Sequence, residues 1–266
     1  SGNFSQLIYF KIMKLGFIGT GEITKAVIQG ITNSKIKYKK ILISKRNNKT
    51  SKYLKKINKK ISIFSDNQEI INNSDWIFLA VTPTVGMQIL SKLSFKKKHT
   101  IISFISTIKL RELKMLINKK ATIVRAIPLP PISIKRGPVP LFPKNNKVKK
   151  FFDKIGDSIE VHSETSSLNF WATSSLMAPY YEFLHDISKW LQKKGMSKLH
   201  AQKYVVSLFS ALSDAAVMRS NKDLKLLVRT SQTPKGLNEE ALKFLKRKGF
   251  YKQLNFSLEK ILKRLK

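Results

Sequence analysis

The sequence predicts an α/β fold in its first part and an all-α dimerisation domain in its second, and three observations carry that prediction. An apolar strand, Leu15 to Ile18, runs into the turn Gly19-Thr20-Gly21 and then into a helical pattern from about Glu22. Short apolar runs then alternate with helical stretches as far as Ala126, which is βαβ repetition and hence a parallel sheet with right-handed crossovers. From about Thr165 the strand signals stop and helical periodicity takes over. Together these give an N-terminal Rossmann dinucleotide-binding domain over residues 13–164 and a helical dimerisation and substrate domain over 165–266. Residues 1–12 are expected to be an N-terminal extension or tag remnant, because Ser1-Gly2 has the form of a cloning scar and Met13 can serve as the native start.

The first helix runs from Glu22 to about Gly30–Asn33. Gly19 and Gly21 carry no Cβ, so a phosphate can approach the backbone from Gly19 through Thr20 and Gly21 to Glu22 and Ile23, at the positive end of that helix. The third position of the G-x-G-x-x-G pattern is Thr24. The pyrophosphate reading therefore rests on context: a strand before, a helix after, and a second strand at the expected distance.

That second strand is Lys40 to Ser44, followed by Lys45-Arg46-Asn47. An acid near this strand end would accept the ribose hydroxyls of NAD, whereas hydroxyl and guanidinium donors suit a 2′-phosphate. Ser44, Lys45 and Arg46 stand there without an acid, so NADPH is expected over NADH. The competing reading is a solvated cation pair in a very basic protein.

Lys52 to Asn58 reads as a helix, Ile61 to Phe64 as a short strand, and Asn67 as the residue before a helix from Gln68 to Asn73. Asp75 to Val81 is the clearest buried strand, and it ends at Thr82-Pro83, where ligand loops of such sheets lie. A helix over Val85 to Leu93, a strand over Thr100 to Ile105, a helix over Leu110 to Ile117 and a strand over Thr122 to Ala126 follow. A proline-rich passage then runs to Pro143. In the second part, Phe170 to Lys194, Lys198 to Met218 and the segment ending at Lys266 are helical. Tyr204 to Val217 is apolar or small on nearly every side, so it must be covered all round. A homodimer or higher homo-oligomer built through this region covers it.

Composition narrows the function classes. The chain has 266 residues and no cysteine, which removes disulfides, thiolate zinc sites and cysteine nucleophiles. His99, His162, His185 and His200 have no ligand spacing, so no metal is expected. No apolar run reaches the roughly 20 residues of a membrane span, and a cytoplasmic protein is expected. The 51 Lys+Arg against 16 Asp+Glu, a formal charge of +35, suggest a polyanion partner. The excess is mostly Lys, comes with many Ile, Asn and Phe, and is spread over the chain, as AT-rich coding DNA would produce. Lys35 to Lys60 is dense, but nucleic-acid binding is not expected as the main function.

Several stretches in order resemble the pyrroline-5-carboxylate reductase family, over nearly all of residues 13–266. They are Gly16-Phe-Ile-Gly-Thr-Gly21, Asn67, Phe78-Leu-Ala-Val-Thr-Pro83 and Val124-Arg-Ala-Ile-Pro-Leu-Pro-Pro131 in the first part. In the second they are Ala178-Pro179-Tyr180-Tyr181, Lys194-Gly195-Met196 with Ala201, Thr233-Pro-Lys-Gly-Leu-Asn238, and Gly249-Phe250. The resemblance implies reduction of a small cyclic imino acid by NADPH, the proline-forming reaction in the family. It adds Asn67, Ala80, Val81, Thr82 and Pro83 to the cofactor contacts. It also places the substrate carboxylate on Thr233, Pro234, Lys235, Gly236, Leu237 and Asn238, with Asn238 orienting the substrate. Where the family has Thr-Thr in the substrate loop, Asn in its Met-Pro-Asn-Thr-Pro run and Lys before the proline that matches Pro83, this chain has Leu237-Asn238, Leu129 and Thr82. Asn238 also reads, more simply, as the N-cap of a helix Glu239 to Lys248, a role that can coexist with a substrate contact. Reduction of another cyclic imine or a small oxo acid on the same scaffold, or nucleotide binding without catalysis, stay open. Asp186 and Asp214 on helices, Tyr180, Tyr181, and Arg125 at a strand end, expected to pair locally, are lesser candidates.

Overall fold

The computed structural model describes residues 12–117 and 121–266; apart from Ile12, the expected N-terminal extension lies outside the described residues. The chain divides into two compact units between Ser167 and Leu168.

The first unit runs β1 (Met13–Ile18), α1 (Glu22–Thr32), β2 (Tyr38–Ser44), α2 (Asn48–Ile57), β3 (Ile61–Phe64), α3 (Asn67–Asn72), β4 (Trp76–Leu79), α4 (Pro83–Leu90), β5 (Thr100–Ser103), α5 (Leu110–Leu116) and β6 (Thr122–Ala126). A 3-10 turn (Pro130–Ile134), β7 (Pro138–Phe142), α6 (Asn146–Phe152) and β8 (Asp157–Glu160) complete it. The strands form one sheet in the order β3-β2-β1-β4-β5-β6-β7-β8. Every pairing is parallel except β6 with β7.

Both faces of the sheet are covered, so the central strands are apolar at successive positions. On one face Leu15, Phe17, Trp76 and Phe78 pack with Ile28 of α1 and Phe151 of α6. Phe17 and Phe78 stack at 4.3 Å. On the other face Ile77 and Leu79 pack with Ile71, Leu90 and Leu113 from α3, α4 and α5.

The structure departs from the sequence reading where local caps or prolines decide. α2 starts at Asn48 rather than Lys52, because the Asn47 side chain accepts from the Thr50 amide at 3.1 Å and caps it. Asn67 is the first residue of α3, not the residue before it; Asp66 supplies the cap through the Gln68 amide at 2.9 Å. α4 begins at Pro83, where a proline costs nothing because the amide it lacks has no helical partner. β7 and β8 are absent from the sequence reading. Pro138 and Pro140 disguise β7, yet Val139 and Leu141, each following one of them, are fully buried. The prolines cannot donate, but their carbonyls can accept: Pro140 O accepts from the Ile127 amide at 3.2 Å.

The second unit carries most of α7 (Glu164–Ser174), then α8 (Met177–Lys193), α9 (Lys198–Val217), α10 (Lys225–Thr230), α11 (Leu237–Arg247) and α12 (Phe250–Leu265). The single helix expected over Phe170 to Lys194 is broken at Ser175–Leu176, so that Pro179 falls in the first turn of α8, where it is tolerated. α8 and α9 pack through Phe183 and Phe209 at 5.2 Å. Within the unit only Ala172, Ser188, Ala201 and Val205 are buried, while Trp190, Tyr204, Val206 and Leu212 are more than half exposed. A helical unit with so little core needs its apolar surface covered from outside.

Candidate functional site

Strand order reverses between β1 and β4, and a ligand crevice is expected outside the strand ends there. A cleft of about 530 Å3 lies at that place. It gathers Gly19, Ser44, Lys45, Arg46, Asn67 and Val81 from the sequence expectation. It also takes in Ile18, Asn48, Ser65 and Ile89, which the sequence reading did not single out. The strand-end rule would have found Ser65, which follows β3; Asn48 was hidden by the late start assigned to α2, and Ile89 by its ordinary apolar pattern.

The glycine turn is more specialised than its spacing suggests. Gly19 has φ +98°, and a Cβ there would lie 2.3 Å from the Ala80 carbonyl oxygen, so glycine is required by the close approach of two backbones. Its N–H donates to Ser44 Oγ at 3.0 Å and its carbonyl accepts from Thr24 Oγ1 at 2.8 Å. Gly19 therefore has no amide left for a phosphate, which corrects its expected part in the cradle. Thr24 is fully buried and ties α1 to the turn by its hydroxyl, which is why the third glycine of the pattern is dispensable here.

Gly21 caps α1, and a Cβ added to it would meet nothing within 4 Å. Among the described residues the amides of Gly21, Glu22 and Ile23 have no protein acceptor, as expected at a helix start. That open space and those donors fit a pyrophosphate. Thr20 is 2% exposed and its Oγ1 accepts from the Asn47 amide at 3.1 Å, so its hydroxyl braces the turn against the loop after β2. Glu22 is exposed and pairs with Lys25 at 3.6 Å.

Because Ser44 Oγ accepts from Gly19, the hydroxyl proton is what remains to be donated to a ligand. Lys45 and Arg46 are exposed, and among the described residues neither pairs with a carboxylate. At the end of β4, the Ala80 carbonyl packs on Gly19 and Val81 lines the cleft. Thr82 and Pro83 open α4 and do not line it.

In the second unit, Thr233 to Asn238 form a tight turn into α11. Gly236 donates to the Thr233 carbonyl at 2.9 Å, and a Cβ on it would meet Thr233 Oγ1 at 2.3 Å. Lys235 takes the left-handed conformation, φ +60°. The cap of α11 is Gly236, so the N-cap reading of Asn238 is wrong. Asn238 is the second helical residue, and its side-chain amide donates to the Ser231 carbonyl at 2.8 Å. Glu239 pairs with Lys243 at 2.7 Å and accepts from the Lys235 amide at 2.7 Å; these contacts, Lys243 foremost, hold its carboxyl below the usual range. The ammonium of Lys243 blunts its effect on the helix end. Leu237 stands 84% exposed beside the free amides of Leu237 and Asn238.

Arg125, 2% exposed, pairs with Glu164 and donates to the Ser106 carbonyl, and Glu164 also accepts from the Leu110 amide at 2.7 Å. Burial pulls the guanidinium pKa down, and Glu164 opposes that. The expected local pairing thus joins residues far apart in sequence. His99 is buried, its Nδ1 accepts from the Lys96 amide at 3.0 Å, and burial, with Lys98 and Lys96, pushes its pKa down, favouring a neutral ring. Among the described residues no three His, Cys, Asp or Glu side chains gather to hold a metal ion, and no helix is long and apolar enough to cross a membrane.

Two family models match the chain. One, described as NADP oxidoreductase coenzyme F420-dependent, matches residues 14–107, and the other, pyrroline-5-carboxylate reductase dimerisation, matches 170–266. Pyrroline-5-carboxylate reductase 2 of Bacillus subtilis is 23% identical over 260 residues, 94% of this chain and 93% of that protein. Among solved structures, pyrroline-5-carboxylate reductase of Streptococcus pyogenes superposes with a TM-score of 0.81 at 21% identity, covering 96% of this chain and 98% of that one. The pyrroline carboxylate reductase of Plasmodium falciparum with NADP bound gives 0.80 at 22% identity, covering 95% and 97%.

Proposed function

This chain belongs to the pyrroline-5-carboxylate reductase family, and from that premise we propose that it reduces the C=N bond of a small cyclic imino acid with NADPH, as a homo-oligomer in the cytoplasm. The observation that carries the reading is a phosphate-open helix start that follows, by way of Gly19, directly on a cleft lined by a hydroxyl, an ammonium and a guanidinium that no carboxylate neutralises among the described residues.

The amides of Gly21 to Ile23 would hold the pyrophosphate, and Ser44, Lys45 and Arg46 the 2′-phosphate, with Asn67 and Val81 as walls of the cleft. The nicotinamide, when bound, supplies the hydride. An iminium carbon is already electrophilic, so what the chain must add is alignment, a carboxylate anchor and exclusion of water. The free amides at the start of α11 serve as the anchor. With its nitrogen engaged by Ser231, Asn238 keeps Oδ1 to accept from the iminium N–H, and Leu237 puts an apolar group beside the anchor.

The test is cofactor affinity. A charge-assisted hydrogen bond is worth about 1.5–3 kcal/mol, so Arg46→Ala should weaken NADPH binding roughly ten- to a hundredfold while NADH binding hardly moves. Equal losses for both cofactors in a calorimetric titration would make the pair a general basic surface and remove the basis of the NADPH preference.

A further inference from the structure

We propose that α2, with the adjoining ends of β2 and β3, is a second binding surface that takes the phosphate backbone of single-stranded RNA. From Ile23 to Ser65 the chain contains no carboxylate, and this run folds onto one edge of the sheet. The inner face of α2 is Thr50, Ser51 and Leu54, so Lys49, Lys52 and Lys56, at helical spacing, occupy the opposite, solvent face. Lys59 and Lys60, in the turn before β3, extend the line; the Lys60 carbonyl accepts from the Ile41 amide at 3.1 Å and so lies beside the exposed start of β2. The ten-residue helix makes this track about 15 Å long.

None of Lys49, Lys52, Lys56 or Lys59 pairs with a carboxylate among the described residues, so their mutual repulsion goes uncompensated within the chain. Tyr53 lies among them, 40% exposed, with its hydroxyl accepting from Gln29 Nε2 at 3.1 Å. A fixed aromatic ring between cations is the arrangement that stacks a base while lysines hold phosphates. A membrane is the poorer partner, because Tyr53 and Ile57, each 40% exposed, are the only large apolar side chains this helix offers to insert. Scattered lysines follow from composition alone; a carboxylate-free line of them around an aromatic does not.

The test uses the full chain and a labelled oligouridylate of about 20 nucleotides, read by fluorescence anisotropy, and it is independent of any reductase activity. With about four phosphates engaged, affinity should fall about fiftyfold between about 50 and 200 mM salt. The triple change Lys49→Glu, Lys52→Glu, Lys56→Glu should lower affinity more than about tenfold. The same three changed to Gln give the same direction with less strain on folding. The control is Lys92→Glu, Lys97→Glu, Lys98→Glu, three exposed lysines near the start of β5, four strands across the sheet and about 19 Å away. It should cost less than about threefold. No binding by the unaltered chain at low salt, equal losses in track and control variants, or binding to phosphatidylserine vesicles that the track variants lose while oligouridylate binding stays, would each overturn the proposal.

Discussion

At the scale of single residues the chain solves a problem that its motif leaves open. A third glycine in a dinucleotide turn lets the first helix pack closely on the strand; here Thr24 occupies that position and closes the gap with a hydroxyl bonded to the Gly19 carbonyl at 2.8 Å. The residue types were legible in sequence, but their partners were not, because Gly19, Thr24 and Ser44 meet only once β1 and β2 pair. Deleting the hydroxyl by Thr24→Val keeps the shape and leaves a buried carbonyl unsatisfied. The expected cost in urea denaturation is about 1–3 kcal/mol, and a cost below about 0.5 kcal/mol would mean the bond contributes no net stability.

Among elements, the strands with continuous apolar runs were readable because burial on both faces leaves no other choice of residue. The prolines of β7 hid a strand that is buried from Val139 to Leu141, and Asn47 moved the start of α2 by a cap that apolar periodicity does not register. The start of α11 was misread by two residues for a similar reason. Gly236 caps it through backbone geometry, without a polar side chain to announce it. That correction alters the prediction for the substrate loop. Leu237→Thr with Asn238→Thr restores family hydroxyls at the first two helical positions. One hydrogen bond of about 1 kcal/mol should raise kcat/KM for pyrroline-5-carboxylate about fivefold relative to its six-membered homologue. An unchanged ratio in a folded protein would show that this loop does not set ring specificity.

For the molecule as a whole, the second unit is the part whose chemistry the sequence disclosed most plainly. Tyr204 to Val217 demanded cover on every side, and in the chain by itself Tyr204, Val206, Leu212 and Val217 remain more than half exposed. Sedimentation should therefore give a dimer or larger species down to micromolar concentration, and a stable folded monomer there would contradict that reading. What composition did not disclose is the substrate, since the loop proposed to receive it, Thr233 to Asn238, is where this chain departs from the pyrroline-5-carboxylate reductases it resembles. Steady-state loss of NADPH absorbance by the purified chain, run against five- and six-membered cyclic imino acids and against small 2-oxo acids, tests the reductase reading most directly. Saturable turnover of at least one carboxylated cyclic imine, faster with NADPH than with NADH, is the predicted result. Tight NADPH binding with no turnover of any imine, or turnover confined to the oxo acids, would contradict it.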